Sequence, residues 1–261
     1  LASGQSFLFS KASIANTGAN SQWSLWRATG IPVQPAAPTA TVVTVVTAIT
    51  DTTGSINYGM QVATGQTAYI AKLAIVGSVT NALFVADRLV HNGGLAHNTT
   101  ALNTFNTFTL PSDRGLDLTN YTDVHWFLEI YTDIGVTANT CTVTYDSPTS
   151  STQTVAISLG GASPLNRAGK LIEIPPNAGH PIVDIKSTRM TTASAVAGSY
   201  GITALKEHGM YPMGTVNVGV LYDFAQAGLH DIPTTASIMF YVMCTTTSTG
   251  IVSGMMRVVK G

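Results

Sequence analysis

The sequence predicts an all-β protein: an antiparallel β-sandwich of jelly-roll type with an extended N-terminal arm and one short helix. Three observations carry this. Polar and apolar residues alternate with a period near two through most of the chain after residue 39, most clearly in residues 124–131 (VHWFLEIY), and that period puts one face of a strand on a core. Threonine occurs 38 times, and β-branched side chains favour pleated backbone. Gly, Pro and Asn clusters interrupt the alternation at short intervals, as in sandwiches and barrels. The chain has 261 residues, and such folds run to about 200–250 residues as a single unit. We therefore divide it into an arm, residues 1–38, and a sandwich domain, residues 39–261.

The arm is read from its punctuation. Asn16-Thr17-Gly18-Ala19-Asn20 is turn-rich, Trp23, Leu25 and Trp26 lie close together, and Pro32, Pro35 and Pro38 put three prolines in seven residues. That spacing favours extended backbone and forbids helix. Two tryptophans on a free segment would be costly to expose. They are expected to dock, either on a neighbouring subunit or back on their own domain.

Strands are then expected over residues 41–49, 66–76, 81–90, 104–110, 124–131, 141–145, 155–159, 170–174, 182–190, 199–205, 237–246 and 251–259. In residues 124–131, Val124, Trp126, Leu128 and Ile130 form the expected core face. His125, Phe127, Glu129 and Tyr131 form a mixed face suited to an outer or inter-subunit surface. Cys141 and Cys244 both fall in strands and read as small buried hydrophobes; their spacing leaves an inter-strand disulfide open. Val218, Leu221, Tyr222, Ala225 and Leu229 recur at helical spacing, with Asn217 as a candidate N-cap and Gly228 as a stop, which predicts a short helical lid.

Charge narrows the functional classes. Charged residues make up 10% of the chain and the net charge is −1, against roughly 25% charged residues in ordinary soluble domains. A surface of uncharged hydroxyls and amides suits a protein largely covered by neighbours. It lacks the basic stripe that displaces counterions from nucleic acid. No run of about 18 apolar residues offers a membrane-spanning helix.

Catalytic patterns were sought without success. There is no Gly-x-Ser-x-Gly and no phosphate-binding Gly-rich loop. His91 and His97 straddle a Gly-Gly turn without zinc-ligand spacing, and His125 reads as a hydrogen-bonded structural histidine. The carboxylate pairs Glu129 with Asp133 and Asp223 with Asp231 read as turn or outer-face residues rather than as a glycosidase pair. We expect no enzyme activity, no metal and no cofactor. Asp87 and Arg88 interrupt the apolar run of residues 82–90, and burying them demands partners. They are either a strand-end ion pair that fixes the following loop or an inter-subunit contact, with Arg88 reaching a partner's carboxylate.

The stretch Asp87-Arg88-Leu89-Val90-His91-Asn92-Gly93-Gly94-Leu95 resembles structural proteins encoded by tailed bacteriophages. So do Trp126-Phe127-Leu128-Glu129-Ile130-Tyr131-Thr132, Cys141-Thr142-Val143-Thr144-Tyr145, Asn217-Val218-Gly219-Val220-Leu221 and Cys244-Thr245-Thr246-Thr247-Ser248-Thr249-Gly250. Together these pieces span roughly residues 65–261. The resemblance implies a component of the phage particle and carries no catalytic residues. The expectation is a capsid decoration, or cement, protein located in the virion and assembled in the host cytoplasm. It would be a homotrimer binding the major capsid protein or other virion proteins. Trp23, Trp26, Pro32 and Pro35 of the arm, with Asp87, Arg88 and His91, are the expected partner contacts. The alternatives are a tail, collar or baseplate protein and, from another class, a carbohydrate-binding or hydrolytic module of a host-recognition fibre.

Overall fold

The structure is a computed structural model and describes residues 4–39, 44–46, 53–56, 66–162, 164, 166–228 and 230–261. In chain order it contains β1 (Gly4–Lys11), β2 (Ser21–Ser24), β3 (Gly30–Ile31), β4 (Thr44–Val45), β5 (Ala68–Gly77), β6 (Asn81–His91), β7 (Leu95–Ala96) and β8 (Asn103–Thr104). After a 3-10 turn at Ser112–Arg114 come β9 (His125–Thr132), β10 (Asn139–Ser147), β11 (Ser150–Leu159), β12 (Lys170–Glu173), β13 (Asp184–Met190), β14 (Ser199–Met213) and β15 (Val220–Tyr222). The helix α1 (Phe224–Ala227) precedes β16 (Ile238–Cys244) and β17 (Val252–Lys260). The strand pairings are antiparallel throughout, so the all-β class read from the alternation holds.

The central sheet closes on itself. β6 pairs with β16, β16 with β2, β2 with β12, β12 with β9, β9 with β14, and β14 returns to β6. This ring of six strands is a small barrel, filled by its own inward side chains. Trp26, Phe84, Ala86, Phe127, Tyr131, Leu171, Leu205, Met239 and Tyr241 form that filling, with the Phe84 and Tyr241 rings stacked 4.4 Å apart.

Two further sheets cover the barrel. The five-stranded sheet β15–β5–β17–β1–β3 packs on one side through Phe9, Ile70, Leu73, Ile75, Met256 and Val258, meeting Leu83, Val85, Phe240 and Val242 of the barrel. The four-stranded sheet β11–β10–β13–β8 packs on the other through Val143, Tyr145, Ile157 and Ile185, meeting Trp126, Leu128, Ile130 and Ile202. This pairing supports packed antiparallel sheets without singling out the jelly-roll order. It also places several barrel strands between two cores, so both of their faces are apolar.

Four expectations change. First, residues 1–38 are not an arm apart from the sandwich domain, and of the two dockings left open for Trp23 and Trp26 the structure shows the one on their own domain. β1 lies within the five-stranded sheet beside β17, and β2 closes the barrel between β16 and β12. Trp23 and Trp26 are fully enclosed by this chain's own core, where burial removes far more apolar surface from water than a free arm would. Second, Phe127, Glu129 and Tyr131 do not face outward. They point into the barrel and are buried, because the opposite face of β9 is already occupied by the four-stranded sheet.

Third, the expected lid is a strand followed by one helical turn. Val220–Tyr222 completes the five-stranded sheet against β5, and Asn217 sits in a left-handed turn at φ 58°. The helix is capped by Asp223, whose carboxylate accepts from the Ala225 and Gln226 amides in a capping box, and it ends at Gly228 as expected. Leu229 lies outside the described residues. Fourth, the strand expected over 104–110 is reduced to β8, because the Phe108 amide turns aside to donate to Asp184 Oδ1 at 2.8 Å. Of the strand expected over 41–49, only 44–46 is described, and it pairs with β6.

Cys141 and Cys244 are buried as read, and the structure settles the open disulfide question by leaving both free; burial raises both thiols above their usual range.

Gly201 marks where the interior is tightest. A Cβ there would lie 2.1 Å from the Asn92 carbonyl oxygen and 2.6 Å from Tyr131 Cε2. Gly201→Ala is expected to destabilise the fold by about 1–3 kcal/mol through overpacking, read as a lower urea midpoint at unchanged slope.

Candidate interaction surface

Of the seven residues read from the sequence as partner contacts, the structure gathers four at one end of the barrel, with Trp26, Asp87 and Arg88 buried and His91 half-buried. Consecutive strand residues point to opposite faces, so Asp87 and Arg88 do not pair with each other. Arg88 points inward. Its Nη2 donates to Glu129 Oε2 at 2.8 Å, to the Tyr131 hydroxyl at 2.8 Å and to Thr203 Oγ1 at 3.0 Å. Thr203 Oγ1 donates to the same carboxylate oxygen at 2.7 Å. The guanidinium lies 3.9 Å from the Trp26 ring centre, a cation–π contact in a dry setting. The His91 ring is 5.6 Å from Trp26. Burial, reinforced by the Arg88 charge, pushes the His91 pKa down to about 2, so its imidazole is neutral. Burial also raises the Tyr131 phenol.

Asp87 points outward from the barrel wall and meets Arg114, which the sequence reading missed. Arg114 Nη1 donates to both Asp87 oxygens at 2.7 Å, while its Nη2 donates to the Val46 carbonyl at 2.7 Å. The Ser237 amide donates to Asp87 Oδ1 at 2.7 Å. Burial raises the Asp87 pKa and the Arg114 guanidinium opposes that rise. Arg114 sits in Pro111-Ser112-Asp113-Arg114-Gly115, which reads as a surface turn; only the fold brings it under the β6 wall. Both ion pairs are fully buried. Asp87 and Arg88 thus do not form the strand-end ion pair expected of them; each is paired separately with a residue remote in sequence.

The remaining sequence candidates also turn inward. Pro35 is buried and Pro32 is half-buried. The Pro32 carbonyl accepts from Lys11 Nζ at 2.6 Å, and burial lowers that ammonium to about 8. Trp23 donates its Nε1 to Ser21 Oγ at 2.7 Å. None of these buried groups is presented to a partner in this structure.

What is presented is the outer face of the five-stranded sheet. Strand register aligns Leu221, Ala74, Met255 and Leu8 as one cross-strand row over β15, β5, β17 and β1. Leu8 is 69% and Leu221 51% exposed. The next row is Val76, Ser253, Ser10 and Ile31, with the two serine hydroxyls bonded at 2.8 Å. On the other flank Lys72 stands opposite Arg257, and among the described residues neither forms an ion pair. A shallow groove of about 460 Å³ runs over Ala74, Leu221 and Met255. Val218, Phe224 and Ile251 are exposed as well. Contiguous apolar rows rimmed by polar groups mark interaction sites. Sequence reading missed Leu8 because its run was assigned to an arm, and Leu221 because it was assigned to a helix.

A second concavity of about 230 Å³ is lined by Tyr121, Val124, His125, Glu173, Pro176 and Pro181. His125 Nδ1 lies 3.4 Å from Glu173 Oε1. That hydrogen bond raises the imidazole and lowers the carboxyl. Of the other carboxylates weighed from the sequence, Asp133 accepts from Arg167 and from the Ala168 amide, Asp223 caps α1, and Asp231 is on a residue whose backbone forms a β-bridge with Tyr69. Among the described residues no group of three His, Cys, Asp or Glu side chains could hold a metal ion.

No known family model matches the chain, and no curated protein sequence matches it.

Proposed function

We propose that this chain is a structural component of a bacteriophage particle, a capsid decoration protein that binds between major capsid protein subunits through the outer face of its five-stranded sheet. The observation that carries the reading is the exposed row Leu221, Ala74, Met255 and Leu8 on a chain with only 10% charged residues. Charge is sparse on that face and apolar contact is available, which suits a persistent contact more than a transient encounter. The barrel behind it, with two buried ion pairs, provides a stiff support. The mechanism is passive: surface removed from water between neighbours resists expansion of the shell. This moves the expected contact away from Trp23, Trp26, Pro32, Pro35, Asp87, Arg88 and His91 to a surface that faces solvent.

Mass spectrometry of purified virions separated into heads and tails tests the role. High copy number in the head fraction supports it. A few copies in the tail fraction would replace it with a tail, collar or baseplate role, and absence from both would overturn it. Met255→Glu tests the surface. It places a charge at the centre of the row and is expected to weaken binding to heads by at least about tenfold, since a central apolar anchor is worth about 1.4 kcal/mol or more. The circular dichroism spectrum and melting temperature should not change.

The concavity at Tyr121, His125 and Glu173 favours a second reading, a carbohydrate-binding module, because it sets an aromatic ring beside polar rim groups. A glycan array on which the protein binds no sugar would dispose of it.

A further inference from the structure

We propose that a second copy of this chain adds to the open edge of β11, joining two four-stranded sheets into one across a two-fold axis. β11 spans Ser150–Leu159, ten residues, and among the described residues pairs with β10 on one side only. The sequence of the strand, SSTQTVAISL, contains no charged residue and no proline. Solvent-facing edges are ordinarily protected by Lys, Pro, a bulge or shortness, because unpaired N–H and C=O groups recruit another strand. β11 carries one of these devices, a bulge at its hairpin end, where the two residues between Ser150 and Gln153 stand opposite the single residue between Tyr145 and Ser147; along residues 153–159 the ladder is regular and the edge has neither Lys nor Pro.

The geometry says which groups are available. In an antiparallel ladder alternate residues turn both backbone groups to the same neighbour. The Thr154 carbonyl is directed away from β10 and accepts from Asn177 Nδ2 in a long 3.4 Å bond. Thr152, Ala156 and Ser158 share its parity and are exposed. Their backbone groups therefore line the open side, with two side-chain contacts among the described residues for an incoming strand to displace, Asn177 Nδ2 on the Thr154 carbonyl and Gln153 Nε2 on the Thr152 carbonyl at 3.1 Å. The opposite parity, Val155, Ile157 and Leu159, packs against the four-stranded sheet's core and holds the edge straight.

The occupant follows from length and charge. The other outermost strands are short, β15 with three residues and β3 and β8 with two each, and β1, which β3 covers only at Ser10 and Lys11, leaves Gly4–Phe9 as a shorter open edge. Among the described residues, the sheet edge that matches β11 in length is β11 itself. Pairing it with its own copy is isologous, so the operator is a two-fold. A strand with no charge places no like charges opposite each other on that axis. The outer face then continues across the join as small hydroxyl and methyl side chains: Thr152, Thr154, Ala156 and Ser158. This inference does not rest on the proposed particle role, and it replaces the expected three-fold arrangement with a two-fold contact.

Sedimentation equilibrium of the purified full chain over a wide concentration range tests it. The expected result is a reversible dimer, together with hydrogen-exchange protection of the Thr152, Ala156 and Ser158 amides that rises with protein concentration. Ala156→Pro removes an outward N–H without costing a bond to β10, and it is expected to give a monomer with an unchanged circular dichroism spectrum. Thr154→Lys, which sets two ammonium groups close to the axis, should do the same and decides the matter if the proline variant does not fold. A wild-type monomer at all concentrations, a trimer, or a dimer that survives Thr154→Lys would overturn the proposal. Loss of head binding with the dimer intact would bear on the five-stranded face alone.

Discussion

Arg88→Met is expected to lower the unfolding free energy by about 3–5 kcal/mol, the usual cost of removing one member of a buried ion pair. The size of the effect comes from what remains. Glu129 is completely enclosed and would keep only the Thr203 and Tyr131 hydroxyls as donors. A carboxylate in that setting must either stay charged without a counter-ion or take up a proton, and both outcomes disfavour the folded state. Methionine retains much of the aliphatic length of arginine, so a cavity is not the main cause. The measurement is urea unfolding of the wild type, Arg88→Met, Glu129→Leu and the double variant. The double variant should recover most of the loss, because a pair replaced by apolar residues leaves no stranded charge. A single variant within about 1 kcal/mol of wild type would show that the network contributes little, against the magnitude set for a buried pair.

Acid should destabilise the protein well before its carboxylates titrate. Burial holds His208 at about 3 and His91 at about 2, far below the ordinary value near 6.5. The sign follows from proton counting. Below pH 6.5 the unfolded chain binds a proton at each histidine and the folded chain does not, so stability falls as pH falls and is fully retained above that value. Two such groups give a slope approaching about 2.7 kcal/mol per pH unit, or about 4 kcal/mol lost at pH 5 relative to pH 8. His125 works in the opposite sense, since Glu173 raises its pKa. Its side chain is 37% exposed, so solvent screening leaves it a small offset. His97 and His230, also lowered by burial, add to the loss in the same sense. Urea midpoints at pH 8 and pH 5 check the total, and His208→Gln should flatten the dependence by at most about half. A stability profile level between pH 8 and pH 5 would show that these imidazoles are reached by water.

Much of the fold was legible because strand alternation is a local property. Residues 124–131 were read as a strand from their own pattern, and β5, β6, β10, β12, β13, β16 and β17 likewise fall where the alternation put them. The failures share a cause. Phe127, Glu129 and Tyr131 look like an outer face because one charged residue among aromatics suits a half-wet surface. They are interior because β6 and β14 pair and close the ring, and nothing local to residues 124–131 records that closure. Leu221 fits a helical template at positions 218, 221, 222 and 225, yet the unpaired edge of β5 claims it. β1 and β2 carry too little alternation to outweigh the prolines that follow them.

By itself the sequence determined the all-β class, the positions of most strands, the buried character of Cys141 and Cys244, the stop at Gly228 and the need for Asp87 and Arg88 to find partners. These follow from side-chain period, β-branching, backbone freedom at glycine and the cost of burying charge, each of which acts within a few residues. Only the tertiary structure decided who those partners are, that Trp23 and Trp26 belong to this chain's own core, and that the surface left to others runs through Leu8, Ala74, Leu221 and Met255. Arg114 is 27 residues from Asp87 and Glu129 is 41 from Arg88, and Leu8 meets Met255 from opposite ends of the chain. Such pairings are set by which sheets pack and which edges close, a choice made by total burial over the whole chain rather than by any one segment of it.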